Sequence, residues 1–236
     1  MFISKDHDTR GVQLDPELLA LAAATPPLDL VRAFGKAPDP AAVARPIELE
    51  IGMGKGTFLI QEAALRPETD FIGLEYDRKI HNYAADRMRR RSLENVRTYW
   101  GDAGPFVRTL LPSTTFAAVH VYFPDPWPKT RHHKRRLLQV DFIRELERIL
   151  LPGGELRIVT DHPGYAEHIG LVLEQHPMPQ IPYTPPASAG PGELVGTNFE
   201  RKYKKRDGRP SYAFARRRAL AQEMPMPEHN SATQDG

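Results

Sequence analysis

With 236 residues and no cysteine, the chain is long enough for one α/β domain with extensions, and it excludes disulfides, thiolate catalysis and cysteine-ligated metal. No apolar run approaches the roughly 20 residues of a bilayer span, and the charged start MFISKDHDTR lacks the apolar core of a secretory signal, so we expect a cytoplasmic protein with no membrane or metal partner. The formal net charge is only +2, but Lys and Arg make up nine of the eighteen residues 201–218, which predicts a basic surface.

The chain then divides into an irregular start and a regular alternation. Residues 1–45 are rich in Pro and Ala and are predicted to form an N-terminal extension with a short helix. Hydrophobic periodicity predicts strands at 47–51, 71–75, 96–100, 117–123, 156–160 and 211–218. It predicts helices at 57–65, 79–91, 106–111, 137–151 and 165–175, the fourth of them stopped by Pro152-Gly153-Gly154.

This alternation predicts an α/β fold, a Rossmann-like doubly wound, mostly parallel sheet with helices on both faces. We assign residues 46–218 to this domain, including a Pro-rich loop at 176–196, and expect a disordered tail at 219–236. Ligands of such sheets bind at the carboxyl ends of the strands, near the switch point. Five acids fall at these predicted ends, namely Glu50, Glu75, Asp102, Asp125 and Asp161.

A glycine loop, Gly52-Met53-Gly54-Lys55-Gly56, follows the first strand. Such a loop alone is compatible with a plain turn, a dinucleotide site or an S-adenosylmethionine site. Glu50 would repel the pyrophosphate of a dinucleotide, whereas S-adenosylmethionine carries an ammonium and a sulfonium. Glu75 lies where a carboxylate accepts both ribose hydroxyls, and Asp102 is placed to meet the adenine amino group. The charges therefore favour S-adenosylmethionine, although each acid alone is also compatible with a strand-end cap.

The segment Phe123-Pro-Asp-Pro-Trp-Pro-Lys129 follows the fourth strand. Its three prolines fix the backbone, which predicts a rigid loop that holds Asp125, Trp127 and Lys129 in set directions. The basic run 129–136 begins inside this loop, which favours RNA contact over a merely solvated face. Residues 201–206 combine cations with a tyrosine and are also predicted to face RNA, whereas the basic run 87–91 is interpreted as a solvated helix face.

Together these motifs resemble the bacterial tRNA (guanine-N7-)-methyltransferases. The resemblance covers about residues 47–218 and rests on LEIGMGKG, GLEYD, GDA, FPDPWPKTRHHKRR, TDHPGYAEH and TNFERKY. It implies the class I methyltransferase fold and transfer of the methyl group of S-adenosylmethionine to N7 of a guanine in tRNA. The family implies the variable-loop guanine, nucleotide 46, as the target.

The resemblance also implies roles for individual residues. It assigns the cofactor site to Glu50, Gly52, Gly54, Gly56, Glu75, Asp102 and Asp125. It assigns substrate binding to Lys129, Asp161, Thr197, Asn198, Phe199 and Glu200. It assigns RNA contact to Arg131, His132, His133, Lys134, Arg135 and Arg136. Two structural alternatives stay open: Asp161 as a cap of the helix near Pro163, and residues 197–200 as a simple turn.

The chemistry of the target narrows the mechanism. N7 of guanine has a lone pair and no proton, so transfer requires positioning and electrostatic stabilisation instead of a base. A carboxylate near the cationic product, from Asp125 or Asp161, would stabilise the developing charge. We take Asp125 as the candidate catalytic residue and disfavour a proton-abstracting role for it.

Three other functions remain as alternatives to this interpretation. They are a methyltransferase acting on a protein or small molecule, a non-catalytic RNA-binding protein on the same scaffold, and a nicotinamide dehydrogenase. The excess of Lys and Arg beside the site disfavours a small substrate, and Glu50 disfavours a dehydrogenase. Nothing in the sequence requires a protein partner.

Overall fold

The computed structural model describes residues 7–35, 45–220 and 223, without the side chains of 204–207. The strands in this part of the chain are β1 (Ile47–Ile51), β2 (Asp70–Glu75), β3 (Val96–Trp100), β4 (Phe116–Tyr122), β5 (Leu150–Thr160) and β6 (Tyr212–Arg217). The helices are α1 (Pro16–Ala24), α2 (Leu30–Ala33), α3 (Thr57–Leu65), α4 (Arg78–Arg89), α5 (Ala103–Pro105), α6 (Val140–Ile149), α7 (Pro163–Glu174) and α8 (Asn198–Asp207), with a π-helical turn at Phe106–Leu110 and a 3-10 helix at Thr130–Arg135.

The six strands form one sheet in the order β3-β2-β1-β4-β5-β6. The first five strands are parallel, and β6 pairs with β5 in the antiparallel direction. Because β1 is flanked by β2 on one side and β4 on the other, the chain reverses its direction of travel across the sheet between β1 and β4. This switch point opens a crevice at the carboxyl ends of those two strands.

Burial explains why these segments adopt their structure. Residues of β1, β2 and β4 are buried on both faces, as expected for central parallel strands covered by helices. The amphipathic helix α6 turns one face to this core through Phe142, Ile143, Leu146 and Ile149. The sheet order and the covering helices confirm the predicted doubly wound fold class.

The predicted helix stop at residues 152–154 is wrong. Helix α6 ends at Ile149, and residues 152–154 lie inside the long strand β5, where the pairing with β4 shifts register between Phe116 and Ala118. A Cβ atom added to Gly154 would lie 2.9 Å from the carbonyl oxygens of Leu151 and Phe116. The glycine is therefore required for close backbone approach within an irregular strand, and not for a helix end.

The described part of the N-terminal extension, residues 7–35, packs against the sheet as part of the same core. Gln13 forms a parallel bridge with Thr98 of β3, and the Thr98 backbone exchanges 2.8 Å hydrogen bonds with Val12 and Leu14. Leu14 and Leu28 are buried in the main hydrophobic cluster. The predicted disordered tail, 219–236, lies outside the described residues apart from 219, 220 and 223.

We expect Leu14→Ala to lower the free energy of unfolding by about 2–5 kcal/mol, because it removes a fully buried leucine and leaves a cavity. The matched control is Leu21→Ala on α1, where the leucine is 51% exposed and the expected change is within about 0.5 kcal/mol. Urea unfolding of both variants measures the difference. Equal, small losses would mean that the extension does not contribute to the core.

Candidate active site

A cavity of about 370 Å³ lies at the switch point. We define its floor as the set formed by Glu50 of β1, Gly52 just after that strand, and Tyr122 and Phe123 at the end of β4. We call residues 197–203 its wall, since Thr197, Asn198, Phe199, Lys202 and Tyr203 at the start of α8 line the cavity. Topology therefore places the crevice predicted from the strand ends where β1 and β4 diverge.

Glu50 is the buried acid of this cavity. Its side chain lines the cavity at 3% exposure, and its Oε2 atom has no hydrogen-bond partner within the described residues. Burial, together with the nearby charge of Glu75, raises the pKa of Glu50 to about 8. A buried carboxylate without a counter-ion fits a ligand that supplies a positive charge.

The glycine loop presents open backbone to the same cavity. Gly52 and Gly54 have φ values of 78° and 53°, and an added Cβ atom would meet nothing within 4 Å at either position. Left-handed backbone favours glycine, and the open space leaves room for a ligand to approach the main chain. Gly56 differs, because an added Cβ there would lie 2.4 Å from Met88 Cε. This third glycine allows α3 to pack closely on α4.

The acids of the next two strands lie side by side at the same edge of the sheet. Glu75 ends β2 and accepts 2.9 Å hydrogen bonds from the backbone amides of Gly54 and Asp77, one on each oxygen. Each carboxylate oxygen has a second lone pair and can accept one more hydrogen bond, for example from a hydroxyl group. Asp102 follows β3, is exposed, and caps α5 by accepting from Gly104 N at 2.8 Å. Neither acid is among the residues that line the cavity.

The loop 123–129 is held in a strained conformation. Phe123 and Trp127 have φ values of +50° and +43°, which non-glycine residues rarely adopt. Phe123 N donates to Val159 O at 2.7 Å, which anchors the loop to β5. Asp125 and Lys129 project from this fixed backbone as exposed residues. The rigidity of this loop stays a prediction; the structure shows that its first residue is anchored to β5.

The structure corrects the prediction that Arg136 contacts RNA. Its side chain is 4% exposed, donates to Pro126 O at 2.9 Å and lies 4.9 Å from the centre of the Tyr165 ring. A buried guanidinium cannot reach a phosphate. Arg136 instead stabilises the loop 123–129 through its hydrogen bond to Pro126 O. The other predicted cations, Arg131, Lys134 and Arg135, are exposed, and Arg135 lies 5.2 Å above the Trp127 ring. His132 and His133 are partly exposed on the same 3-10 helix.

Both structural alternatives are wrong. Helix α7 is capped by His162, whose Nδ1 accepts from Tyr165 N at 3.1 Å, and not by Asp161. Asp161 is partly exposed after β5, with an oxygen 3.7 Å from Arg209. Residues 197–200 do not form a simple turn, since α8 begins at Asn198.

Residues 197–200 divide between two roles. Thr197, Asn198 and Phe199 line the cavity, as the prediction of substrate contact requires. Glu200 is 5% exposed, and its carboxylate accepts hydrogen bonds from the amides of its own preceding loop, residues 194–196. Its two oxygens therefore face the protein backbone in this structure.

Sequence reasoning missed several residues of the cavity. Lys202 and Tyr203 line it beside Phe199, because residues three and four apart share a helix face. Phe199 packs against Phe123 and Tyr203, with ring centroids 4.8 and 4.4 Å apart. Recognising α8 as a helix would have predicted its part of this grouping, but Phe123 joins it only through the tertiary fold.

Two further properties of the described residues bear on ligands. No group of three or more His, Asp or Glu within 7–35, 45–220 and 223 is arranged to hold a metal ion. No helix in the same part of the chain combines the length and apolar character that a membrane crossing requires.

Comparison with known proteins places this site in a family. Residues 44–212 match a family model described as "Putative methyltransferase". The tRNA (guanine-N(7)-)-methyltransferase of Alkalilimnicola ehrlichii is 40% identical over 176 residues, 75% of this chain and 71% of the relative. The protein of the same name from Leifsonia xyli is 36% identical over 221 residues, 85% and 90% of the two chains. The chain belongs to the tRNA (guanine-N7-)-methyltransferase family.

Two solved structures support the fold of this methyltransferase. The 16S rRNA methyltransferase KamB superposes with a TM-score of 0.55 at 16% identity, covering 74% of this chain and 88% of KamB. A SAM-dependent methyltransferase from Aquifex aeolicus superposes with a TM-score of 0.50 at 14% identity, covering 87% and 94%. These structures confirm the fold class, while the family membership confirms the resemblance, the enzyme class and the cofactor S-adenosylmethionine and shows that the dehydrogenase alternative is wrong.

We expect Glu50→Gln to stabilise the methyltransferase at alkaline pH and to weaken cofactor binding. The pKa of Glu50 is raised from 4.5 to about 8 in the folded protein, so its ionisation lowers the free energy of unfolding progressively between those two pH values. The amide does not ionise, so the free energy of unfolding of the variant should rise relative to that of the wild type as the pH rises.

The same variant should bind S-adenosylmethionine about ten- to hundredfold more weakly, as measured by calorimetry, because the charged partner of the cation is lost.

Glu48, two residues earlier on β1, supplies the opposite case. Burial alone would raise its pKa, but hydrogen bonds from Arg66 and His120 hold the pKa of Glu48 well below its usual range. Glu48→Gln should therefore destabilise the protein at neutral pH, and this loss should shrink as the pH falls through the acid range. Urea unfolding at about pH 5.5, 7 and 8.5 distinguishes the two glutamates. Equal pH profiles for both variants would contradict the assignment of Glu50 as the unpaired acid.

Proposed function

We propose that this enzyme transfers the methyl group of S-adenosylmethionine to N7 of a guanine in tRNA, at nucleotide 46 of the variable loop, in the cytoplasm. The observation that carries the proposal is the division of one cavity between two chemistries. One side holds the buried acid Glu50 and the open glycine loop. The other side holds the aromatic rings of Phe199 and Tyr203 and the cation Lys202, all on α8.

The acid side fits the cofactor. When bound there, S-adenosylmethionine supplies an electrophilic methyl group on a sulfonium. Glu50 would pair with its positive charge, Gly52 and Gly54 would allow it to contact the backbone, and Glu75 would accept the ribose hydroxyls. Asp102, at the next strand end, would accept from the adenine amino group. Glu50, Gly52 and Gly54 line the cavity, whereas Glu75 and Asp102 lie at the next two strand ends, outside its lining.

The aromatic side fits an extruded guanine. RNA-binding proteins recognise unstacked bases by stacking them on aromatic rings and hydrogen-bonding their edges. Phe199 is 41% exposed and packs against Phe123 and Tyr203, which also line the cavity. Asp125 and Asp161 follow the adjacent strands β4 and β5 and lie outside the residues that line the cavity. Their carboxylates can accept from N1–H and N2–H₂, the donors that distinguish guanine from adenine.

The proposed chemistry requires no general base. Guanine N7 would attack the methyl carbon with its lone pair while the bond between that carbon and the sulfonium sulfur breaks. The electron pair of the broken bond would return to sulfur, so the cofactor would leave as a neutral thioether and the base would carry the positive charge. A carboxylate held on a rigid loop stabilises that charge without reorganising during the reaction. Asp125 meets this requirement, because its loop is fixed by prolines, by Arg136 and by the amide of Phe123. Lys129 is assigned to a phosphate or a base carbonyl, since a cation beside the product would oppose its charge.

The direct test of the proposed function incubates tRNA with methyl-labelled S-adenosylmethionine and the purified enzyme. Chemical cleavage at N7-methylguanine then maps the modified nucleotide. Cleavage at the variable-loop guanine supports the proposal. If a tRNA without guanine at nucleotide 46 gives no cleavage, nucleotide 46 is the methylated position. Label in protein or in small molecules, with none in tRNA, would instead favour the alternative methyltransferase substrates.

Asp125→Ala should reduce kcat about a hundredfold or more without unfolding the protein, because the residue is exposed on the loop surface. Asp125→Asn keeps an acceptor and removes the charge. A loss as large as that of Asp125→Ala would indicate stabilisation of the cationic base, whereas a small loss would indicate positioning. The control is Asp141→Asn. Asp141 is an exposed acid on α6 that pairs with Arg108, and its replacement should leave kcat unchanged. Wild-type kcat for Asp125→Ala at a normal melting temperature would exclude the assigned role.

Binding of tRNA should weaken steeply with ionic strength if Lys134 and Arg135 neutralise phosphates, because each contact releases counterions. Their joint replacement by alanine should make the slope of log affinity against log salt shallower by roughly 0.7–0.9 per contact removed. Arg90→Ala/Arg91→Ala removes the same charge from the α4 end and should leave the slope unchanged. Parallel lines for the first pair would move the tRNA surface to residues 201–206.

A further inference from the structure

A continuous series of buried polar contacts runs beneath the cavity. It starts at Glu48 on β1, whose carboxylate accepts from Arg66 at 2.7 and 2.9 Å and lies 2.9 Å from His120 Nε2. On the other side of the imidazole, His120 Nδ1 lies 2.9 Å from the hydroxyl oxygen of Tyr122. Tyr122 is itself part of the cavity floor. The series therefore connects the base of the sheet with the site.

From Tyr122 the connection to the Pro-rich loop 176–196 is made by packing. Tyr183 of that loop packs against the buried hydrophobic cluster that includes Tyr122, and its hydroxyl donates to Leu194 O at 2.8 Å. Burial raises the pKa of Tyr183 to about 12, so its hydroxyl keeps its proton and remains a donor throughout the neutral range. This single side chain thus joins β4 to the end of the loop.

The end of the loop is in turn joined to α8. Leu194 N donates to one oxygen of Glu200 at 2.6 Å, and the amides of Val195 and Gly196 donate to the other at 3.0 and 2.8 Å. Gly196 has a φ of +74°, and an added Cβ atom would lie 2.9 Å from Ser188 O. The three amides and the tight turn leave this part of the loop little freedom.

The loop also has a second attachment, which does not involve Tyr183. Ser188 N donates to Glu62 of α3 at 2.7 Å, and Glu62 is paired with Arg66 at 2.8 Å. The loop is therefore held at residue 188 by α3 and at residue 194 by Tyr183. Residues 197–203, which line the cavity, begin directly after the second attachment.

We propose that Tyr183 is a positioning residue for the target nucleotide. Its ring packs against the cluster that includes Tyr122 and its hydroxyl holds Leu194 O, which together set the place of the cavity wall 197–203. The inference rests on the proposed function and extends it to the Pro-rich loop. Tyr183 is not among the residues that line the cavity, so it acts through Leu194 and Glu200 and does not touch the base. The loop 176–196 thereby has an assigned role as the support of the base-binding wall.

Tyr183→Phe tests this role, since it keeps the ring and removes only the hydroxyl. We expect kcat for tRNA methylation to fall about tenfold, because a displaced wall misplaces the base relative to the methyl group. The KM values for tRNA and S-adenosylmethionine should change less than about threefold, because the phosphate contacts and the glycine loop are untouched. Assays are run below the melting temperature of both proteins.

The matched control is Thr98→Val, which removes a different fully buried hydroxyl, bonded to His81 Nε2 at 3.0 Å on the β3 side of the sheet. It should lower the melting temperature to a similar extent while leaving kcat unchanged. If Tyr183→Phe keeps the wild-type kcat, or if Thr98→Val lowers kcat equally, Tyr183 has only a structural role and the inference fails.

Amide hydrogen exchange provides a readout that does not depend on the substrate. Tyr183→Phe should accelerate exchange at the amides of Leu194, Val195 and Gly196, whereas Thr98→Val should not. Unchanged exchange at these three amides would overturn the inference even if kcat fell. Absence of methylated tRNA with the wild-type enzyme would instead refute the proposed function, and the exchange data would still decide whether Tyr183 positions the wall.

Discussion

The site depends on one buried acid, Glu50 of β1, which lines the cavity and whose Oε2 atom has no hydrogen-bond partner within the described residues. A buried acid without a partner destabilises a fold, and proteins normally neutralise or pair such groups. For Glu50 the partner would be a bound ligand and not a protein residue, because ligands of a doubly wound sheet bind in the crevice above it. The same strand carries Glu48, which is fully paired. Glu48 therefore stabilises the fold, whereas Glu50 is proposed to bind the positive charge of the cofactor.

The opposite wall differs, because hydrogen bonds between side chains and the backbone hold the loops beside it. Arg136 holds the loop 123–129, and Tyr183 and Glu200 hold the wall 197–203. Loops that carry function are otherwise mobile, and these two are anchored by hydrogen bonds to side chains. A reaction that needs no proton transfer depends on the distance between two atoms. Anchored loops and an unpaired acid are therefore complementary parts of one site.

Much of this arrangement could be predicted from the sequence. The positions of Glu50 and Glu75 follow from strand periodicity alone, because parallel strands bring their carboxyl ends to one edge. Arg136 and Glu200 could not be assigned in this way, since nothing local distinguishes a buried Arg or Glu from an exposed one in the same run. The sequence also predicts a helix stop at Gly154. Only its close approach to the backbone of β4 shows that it lies inside a strand. Tertiary packing decided each of these cases.

The N-terminal segment has a consequence for solubility. The outer edge of β3 would expose unpaired amides and carbonyls, and such edges recruit strands from other molecules. Val12 and Leu14 occupy that position by exchanging backbone hydrogen bonds with Thr98. The segment thereby acts as a protective cover for one border of the sheet. A chain shortened to the catalytic motifs would keep every residue of the cavity and yet present a border prone to intermolecular β-pairing.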